Sequence, residues 1–198
     1  MDYFNEDERE QQQAFAGKRD RFFGPIIRGL AATPVTPNQL TFIGIAFLLA
    51  GCAFGTDVPW AASVFLPLYC LMDGLDGPLA RHRDTASKGG SLLDIIADQL
   101  GVVFVPAAAV YHLGADGAAS TLFASFYVAF ITVVIVANET GVKIPKFLRV
   151  KYVMYVVYCL CIIFNIDYMT HFLAIFSAYY VVMFALVVRA LYRQMEAQ

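Results

Sequence analysis

Four aspartates stand in one stretch of this sequence, at spacings that suit shared chemistry. Asp73 and Asp76 are three residues apart, and Asp94 and Asp98 are four apart. On a helix, either spacing puts both carboxylates on one face. Two neighbouring helices joined by a short connection could therefore bring all four together at one depth. Unaccompanied carboxylates at a membrane boundary repel each other and are costly to desolvate. Arg81 and Arg83, between the two pairs, balance part of that charge. Divalent cations do so better, because carboxylate oxygens are their natural ligands. Carboxylates shared between two such ions make the usual two-metal arrangement for phosphoryl transfer. The competing reading is a salt-bridge cluster snorkelled to a membrane interface, which a single aspartate would suit better than four.

The elements that must position these residues are membrane helices. The chain has 198 residues, 59% of them hydrophobic and 15% charged. A soluble domain is nearer half apolar and a quarter charged. So short a chain cannot bury that excess in one soluble core. Six apolar stretches, at 39–56, 58–80, 91–113, 118–138, 150–166 and 170–191, each approach the ~20 residues that cross a bilayer. Gly55-Thr56-Asp57, Gly114-Ala115-Asp116-Gly117 and Asn165-Ile166-Asp167 mark tight turns. Pro67, Pro78 and Pro106 fall inside helical runs, which membrane helices tolerate.

Every Lys and Arg falls before the first stretch, between the second and third, between the fourth and fifth, or at the C-terminal end. That alternation predicts six spans with both termini on the cytoplasmic side. Residues Gln12 to Ala32 mix Phe15, Phe22, Phe23, Ile26, Ile27 and Leu30 with Lys18, Arg19, Arg21 and Arg28, as an amphipathic surface helix would. The expected fold is thus all-α and polytopic. Residues 1–36 form a tail and surface helix, and 37–198 a six-helix membrane domain. The polar, acidic start reads as no cleavable leader. A net charge of -2 without a basic arm argues against nucleic acid as a partner. Cys52, Cys70, Cys159 and Cys161 lie in apolar runs without a zinc-ligand pattern and read as small apolar side chains.

The motif resembles the signature of the CDP-alcohol phosphotransferases. Asp73, Asp76, Gly77, Ala80, Arg81, Gly90, Asp94 and Asp98 keep all of its spacings. Eight fixed positions match by chance on the order of once in ten billion windows. The resemblance extends over most of the chain and implies two Mg²⁺ or Mn²⁺ ions held by Asp73, Asp76, Asp94 and Asp98. It makes Asp98 also the general base on the acceptor hydroxyl. It gives Gly77, Ala80, Arg81 and Gly90 to the CDP donor, and further implies a homodimer. Ser87 and the run Thr36-Pro37-Asn38-Gln39 resemble donor-contacting positions of related phosphatidylinositol-phosphate synthases. The physical chemistry agrees. Gly77 lets a flat base or phosphate approach the backbone, and the fork of Arg81 suits pyrophosphate oxygens. Gly90 serves equally well as a structural glycine.

The acceptor is less sharply marked. Lys143, Lys146, Arg149 and Lys151 cluster on the side of the motif and suit a phosphate-bearing alcohol or anionic headgroups. Asn138 and Glu139, at a helix end, suit either an acceptor contact or a cap. The Lys-x-Arg-x-Glu pattern of inositol-phosphate synthases is missing there, which speaks against inositol phosphate. Expected activities are therefore phosphatidyl transfer from CDP-diacylglycerol to a small alcohol or, as the alternative, phosphocholine or phosphoethanolamine transfer to a diacylglycerol-type lipid. A cation transporter or a membrane scaffold is the competing class. Transport would favour acids at mid-membrane and repeated halves, neither of which is evident.

Overall fold

The computed structural model describes residues 23–196, and all regular structure in that range is helical. A short helix, α1, covers residues 23–31. It is followed by α2 (Pro37–Ala53), α3 (Pro59–His82), α4 (Lys88–Leu113), α5 (Gly117–Glu139), α6 (Lys151–Phe164) and α7 (Met169–Glu196). These last six match the six apolar stretches to within a few residues. The expected surface helix reaches back to Gln12, and its first half lies outside the described residues. The described part docks through Ile27 onto Leu40, Leu75 and Leu79, while Ile26 stays exposed.

Three helices, α4, α5 and α7, are long and apolar enough to cross a membrane. Helix α3 has the length, with 24 residues, but its second half carries Asp73, Asp76 and Arg81. Helices α2 and α6 have 17 and 14 residues. The outer surface is apolar: Trp60, Tyr111, Leu122, Val156, Ile175 and Val182 all stand exposed. In water such a surface would be a liability, and in lipid it is the expected one.

The bundle has two packed parts. In one, α2 runs antiparallel along α3. A Cβ at Gly44 would lie 3.2 Å from the Met72 Cβ, and one at Gly51 would lie 3.1 Å from Leu66 Cγ. Small residues there let the backbones approach closely. In the other part, α5 and α7 run parallel. Thr170 Oγ1 accepts from the Asp116 amide at their starts, and Gln194 Nε2 donates to the Thr140 carbonyl at their ends. Between these ends, Phe123, Tyr127, Phe130 and Tyr180 form a ring cluster with centroids 4.7–5.9 Å apart.

Helices α3 and α4 depart from expectation. They keep the antiparallel sense, but they do not pack closely on each other, whereas α2 and α6 each contact both. Aromatic side chains stand between them. Tyr69 of α3 donates to the Ala97 carbonyl of α4 at 3.1 Å, and its ring meets that of Tyr155 of α6 edge-on at 5.8 Å. A Cβ on Gly101 of α4 would lie 2.1 Å from the Tyr155 hydroxyl, so only glycine admits that tyrosine. The carboxylates therefore face one another across a cleft, which leaves room for ligands.

Helix α6 is short because the chain before it runs inside the bundle. Val142, Ile144 and Val150 are buried. The Leu148 amide donates to the Tyr179 hydroxyl at 2.9 Å, and the Tyr180 hydroxyl donates to the Leu148 carbonyl at 2.7 Å. Both tyrosines sit near the middle of α7. Irregular backbone at such a level needs partners of this kind. The path delivers the first residue of α6, Lys151, to the cleft.

Candidate active site

A cavity of roughly 400 Å³ opens where the N-terminal turns of α2 and α4 meet the C-terminal end of α3. A small-molecule site has about this size. The α2 turn is fixed by a capping box: Thr36 Oγ1 accepts from the Gln39 amide at 3.3 Å, and Gln39 Oε1 accepts from the Thr36 amide at 2.8 Å. The α4 turn is capped by Ser87, whose Oγ accepts from the Gly90 amide at 3.0 Å. Two helix N-termini thus border one cavity, a disposition that favours anions. A Cβ on Gly90 would make ordinary contact with Ser87 Oγ at 3.4 Å and Asn38 Oδ1 at 3.6 Å, which puts this glycine between the two turns.

Thr36, Pro37, Asn38, Gly77, Ala80, Arg81, Ser87 and Gly90, expected at a donor site, all line this cavity, with Asp76 and Asp94. Gln39 does not line it, because its side chain is spent on the capping box. Thr41, Thr85, Ala86 and Ser91 line it without having been singled out from sequence, and Arg83, expected to balance the aspartates, lines it with its guanidinium on backbone carbonyls instead. The hydroxyl of Thr41 donates to Asp76 Oδ2 at 2.6 Å, and the Gly77 amide donates to Asp76 Oδ1 at 2.6 Å.

Deeper in the cleft, Asp73, Asp94 and Asp98 each offer a carboxylate oxygen, and these oxygens lie within 4.8 Å of one another. The expected convergence of four is therefore a trio plus one. Asp76, turned toward Thr41 and its own helix, stands outside the trio on the cavity side. Asp94 belongs to both the cavity lining and the trio.

Lys151 places its ammonium on the trio. It contacts Asp98, lies 3.4 Å from Asp73 Oδ2, and sits 4.6 Å from the Tyr152 ring centre. Tyr152 donates its hydroxyl to Asp73 Oδ2 at 2.9 Å. Of the basic residues expected at the acceptor, Lys151 is buried among the aspartates, whereas Lys143, Lys146 and Arg149 are exposed. Arg149 lies 5.5 Å from the Phe147 ring centre. Glu139 is exposed. Asn138 Nδ2 is buried and has no hydrogen-bond partner among the described residues.

The donor set suits a divalent metal. All its atoms are carboxylate oxygens, which match Mg²⁺ or Mn²⁺.

Comparison with known proteins agrees with this chemistry. The profile of the CDP-alcohol phosphatidyltransferase family matches residues 34–194. The chain belongs to this family. It is 42% identical over 72 residues to archaetidylinositol phosphate synthase of Pyrococcus horikoshii, covering 36% of this chain and 38% of that protein. It is 33% identical over 88 residues to phosphatidylinositol phosphate synthase of Mycobacterium bovis, covering 42% and 41%. It is 41% identical over 94 residues to phosphatidylcholine synthase of Pseudomonas aeruginosa, covering 42% and 40%. Each match spans about two fifths of the relative's own length. The family uses divalent metals, and Asp73, Asp94 and Asp98 are the residues here that could hold one.

Proposed function

We propose that this chain transfers a phosphatidyl group from CDP-diacylglycerol to the hydroxyl of a small alcohol, releasing CMP. The observation that carries the reading is the double membership of Asp94. A cavity bordered by two helix N-termini and two arginines meets a trio of carboxylates at that one residue. Together the two parts support a site for a nucleotide-activated phosphoryl donor.

The cavity holds the CDP portion. Arg81 and the two helix turns face the pyrophosphate, and Gly77 and Gly90 leave space for the cytidine or a phosphate. Divalent ions bound by Asp73, Asp94, Asp98 and Asp76 would supply positive charge to the attacked phosphorus and the leaving CMP. The acceptor hydroxyl oxygen bonds to the phosphorus that carries the diacylglycerol. The bond from that phosphorus to the bridging oxygen breaks, and CMP departs with that oxygen. The hydroxyl proton passes to Asp98, which Lys151 orients. The acceptor enters from the α6 side of the cleft.

In this reading the six long helices all cross the membrane, residues 37–198 form the membrane domain, and residues 1–36 lie at its surface. Arg81, Arg83 and Lys88 stand at the cavity end, which supports a site and both termini on the cytoplasmic side. A homodimer is the proposed assembly.

The test is CMP release by purified protein in detergent with Mg²⁺. One arm offers CDP-diacylglycerol with glycerol phosphate, serine, choline, inositol or inositol phosphate. The other offers CDP-choline or CDP-ethanolamine with diacylglycerol. CMP in the first arm supports the proposal and names the alcohol. CMP in the second arm alone replaces it with phosphocholine or phosphoethanolamine transfer. CMP in neither refutes both.

A further inference from the structure

We infer that Arg83 is a positioning residue for the donor cavity: it clasps the link between α1 and α2 against the end of α3, and so holds in place the cavity wall made by Thr36, Pro37 and Asn38. The inference rests on the reading of that cavity as the donor site.

The clasp begins with the way α3 ends. Asp84 adopts a left-handed conformation at φ 53°. The Thr85 amide donates to the Ala80 carbonyl at 2.9 Å, and the Asp84 amide to the Arg81 carbonyl at 3.2 Å. This pair of bonds is a Schellman closure, in which the last carbonyls are satisfied and the direction of the chain is fixed. Arg83, the C-cap residue, is thereby aimed away from the α3 axis.

Its guanidinium then meets four carbonyls of one short segment. Nη1 donates to Val35 at 2.6 Å. Nη2 lies 2.8 Å from the Leu30 carbonyl, 3.1 Å from that of Ala31 and 2.5 Å from that of Thr33. Leu30 and Ala31 are at the C-terminal end of α1, the negative pole of the helix, where a cation is stabilising. Val35 directly precedes Thr36, the cap of α2. One planar fork thus joins the end of one helix, the start of the next and the end of a third. An ammonium, with its donors on a single atom, cannot span those positions.

The two arginines of the motif segment then have separate tasks. Arg81 lines the cavity for the ligand. Arg83 also lines the cavity, but its fork is engaged by backbone, and its effect on the donor runs through the α2 turn. The other hydrogen bonds of the segment it restrains, Ala32 to Val35, run back to α1 or stay within the segment. The Ala32 amide donates to the Arg28 and Gly29 carbonyls, the Thr33 amide and Oγ1 to the Leu30 carbonyl, and the Val35 amide lies 3.4 Å from Thr33 Oγ1. Arg83 is therefore what ties these residues by hydrogen bonds to the end of α3, beside the packing of Val35 on the Ile27 cluster.

The experiment compares wild type, Arg83→Gln and Arg83→Lys, each purified in detergent with Mg²⁺. Hydrogen–deuterium exchange reports on peptides spanning 27–41, titration calorimetry gives CMP affinity, and steady-state kinetics gives donor KM and kcat. A clasp predicts faster exchange in the link for both variants. It also predicts CMP binding weakened about tenfold in both, with the loss in donor KM and kcat within about threefold of wild type. Lysine keeps the charge, so near-wild-type values for Arg83→Lys alone would make Arg83 a phosphate ligand and overturn the inference. Unchanged exchange in the link of both variants would overturn it as well. Wild type that binds no CMP would refute the donor reading instead, while faster exchange in the variants would still support the clasp.

Discussion

The α2–α4 part and the α5–α7 part of the bundle are built on opposite principles. The first carries the four aspartates, the two motif arginines and the cavity. The hydrogen bonds that shape its turns are short in sequence: a capping box, a serine cap and a Schellman closure. The second is an aromatic and aliphatic support, in which Phe123, Tyr127, Phe130 and Tyr180 stack between two parallel helices. Its polar reach into the chemistry is through Lys151 and Tyr152 at the start of α6. The teaching of the contrast is that local sequence shapes the turns of the donor site, while long-range contacts bring those turns together and complete the catalytic cluster.

The comparison can be broken most severely at Asp94, where cavity and cluster join. Asp94→Asn is expected to lower turnover by at least about a thousandfold and to remove metal-dependent CMP binding, as measured by CMP release and calorimetry. Asp98→Asn should also lower turnover by at least roughly 10²–10⁴-fold, the range for a lost general base, in a protein that still folds. Full activity in Asp98→Asn would remove its assigned role. In the other part, Phe130→Ala should cost about 3–5 kcal/mol of stability through the cavity it leaves. Thermal melting should show that loss, while donor KM of the folded fraction stays unchanged.

Lys151→Met sharpens the boundary between the parts. It leaves Asp73 and Asp98 without their buried cation, a loss worth about 3–5 kcal/mol when one partner of such a pair is removed. The melting temperature should therefore drop in chelator and recover substantially in Mg²⁺. An equal drop in both conditions would mean that the lysine and the metal do not share the carboxylates. The smallest effect is expected for Thr41→Val. It removes one hydrogen bond to Asp76, worth about 1–3 kcal/mol, and should weaken CMP binding by roughly five- to a hundredfold without lowering kcat to the same degree.

What the sequence made legible follows the same division. The aspartate spacings and the six apolar stretches depend on residues a few positions apart, and helical geometry converts such spacing directly into a shared face. The docking of Lys151 on Asp73 and Asp98 joins residues 78 and 53 positions apart. Thr41 reaches Asp76 across 35 positions, and Arg83 reaches Val35 across 48. No periodicity encodes these pairs. Lys151 looked like one more basic residue beside Lys143, Lys146 and Arg149, and Arg83 looked like a topological charge. The separation of α3 from α4 was equally hidden, because it depends on Tyr69 and Tyr155 meeting at Gly101.

The most direct test of a single site joined at Asp94 is the ³¹P relaxation of CMP bound to the purified protein as Mn²⁺ is added. If the cavity holds the nucleotide and the aspartates hold the ion, Mn²⁺ should broaden the CMP phosphorus signal strongly in wild type and fail to do so in Asp94→Asn. A CMP signal that stays sharp in wild type, with both ligands shown to be bound, would place nucleotide and metal apart and contradict the account.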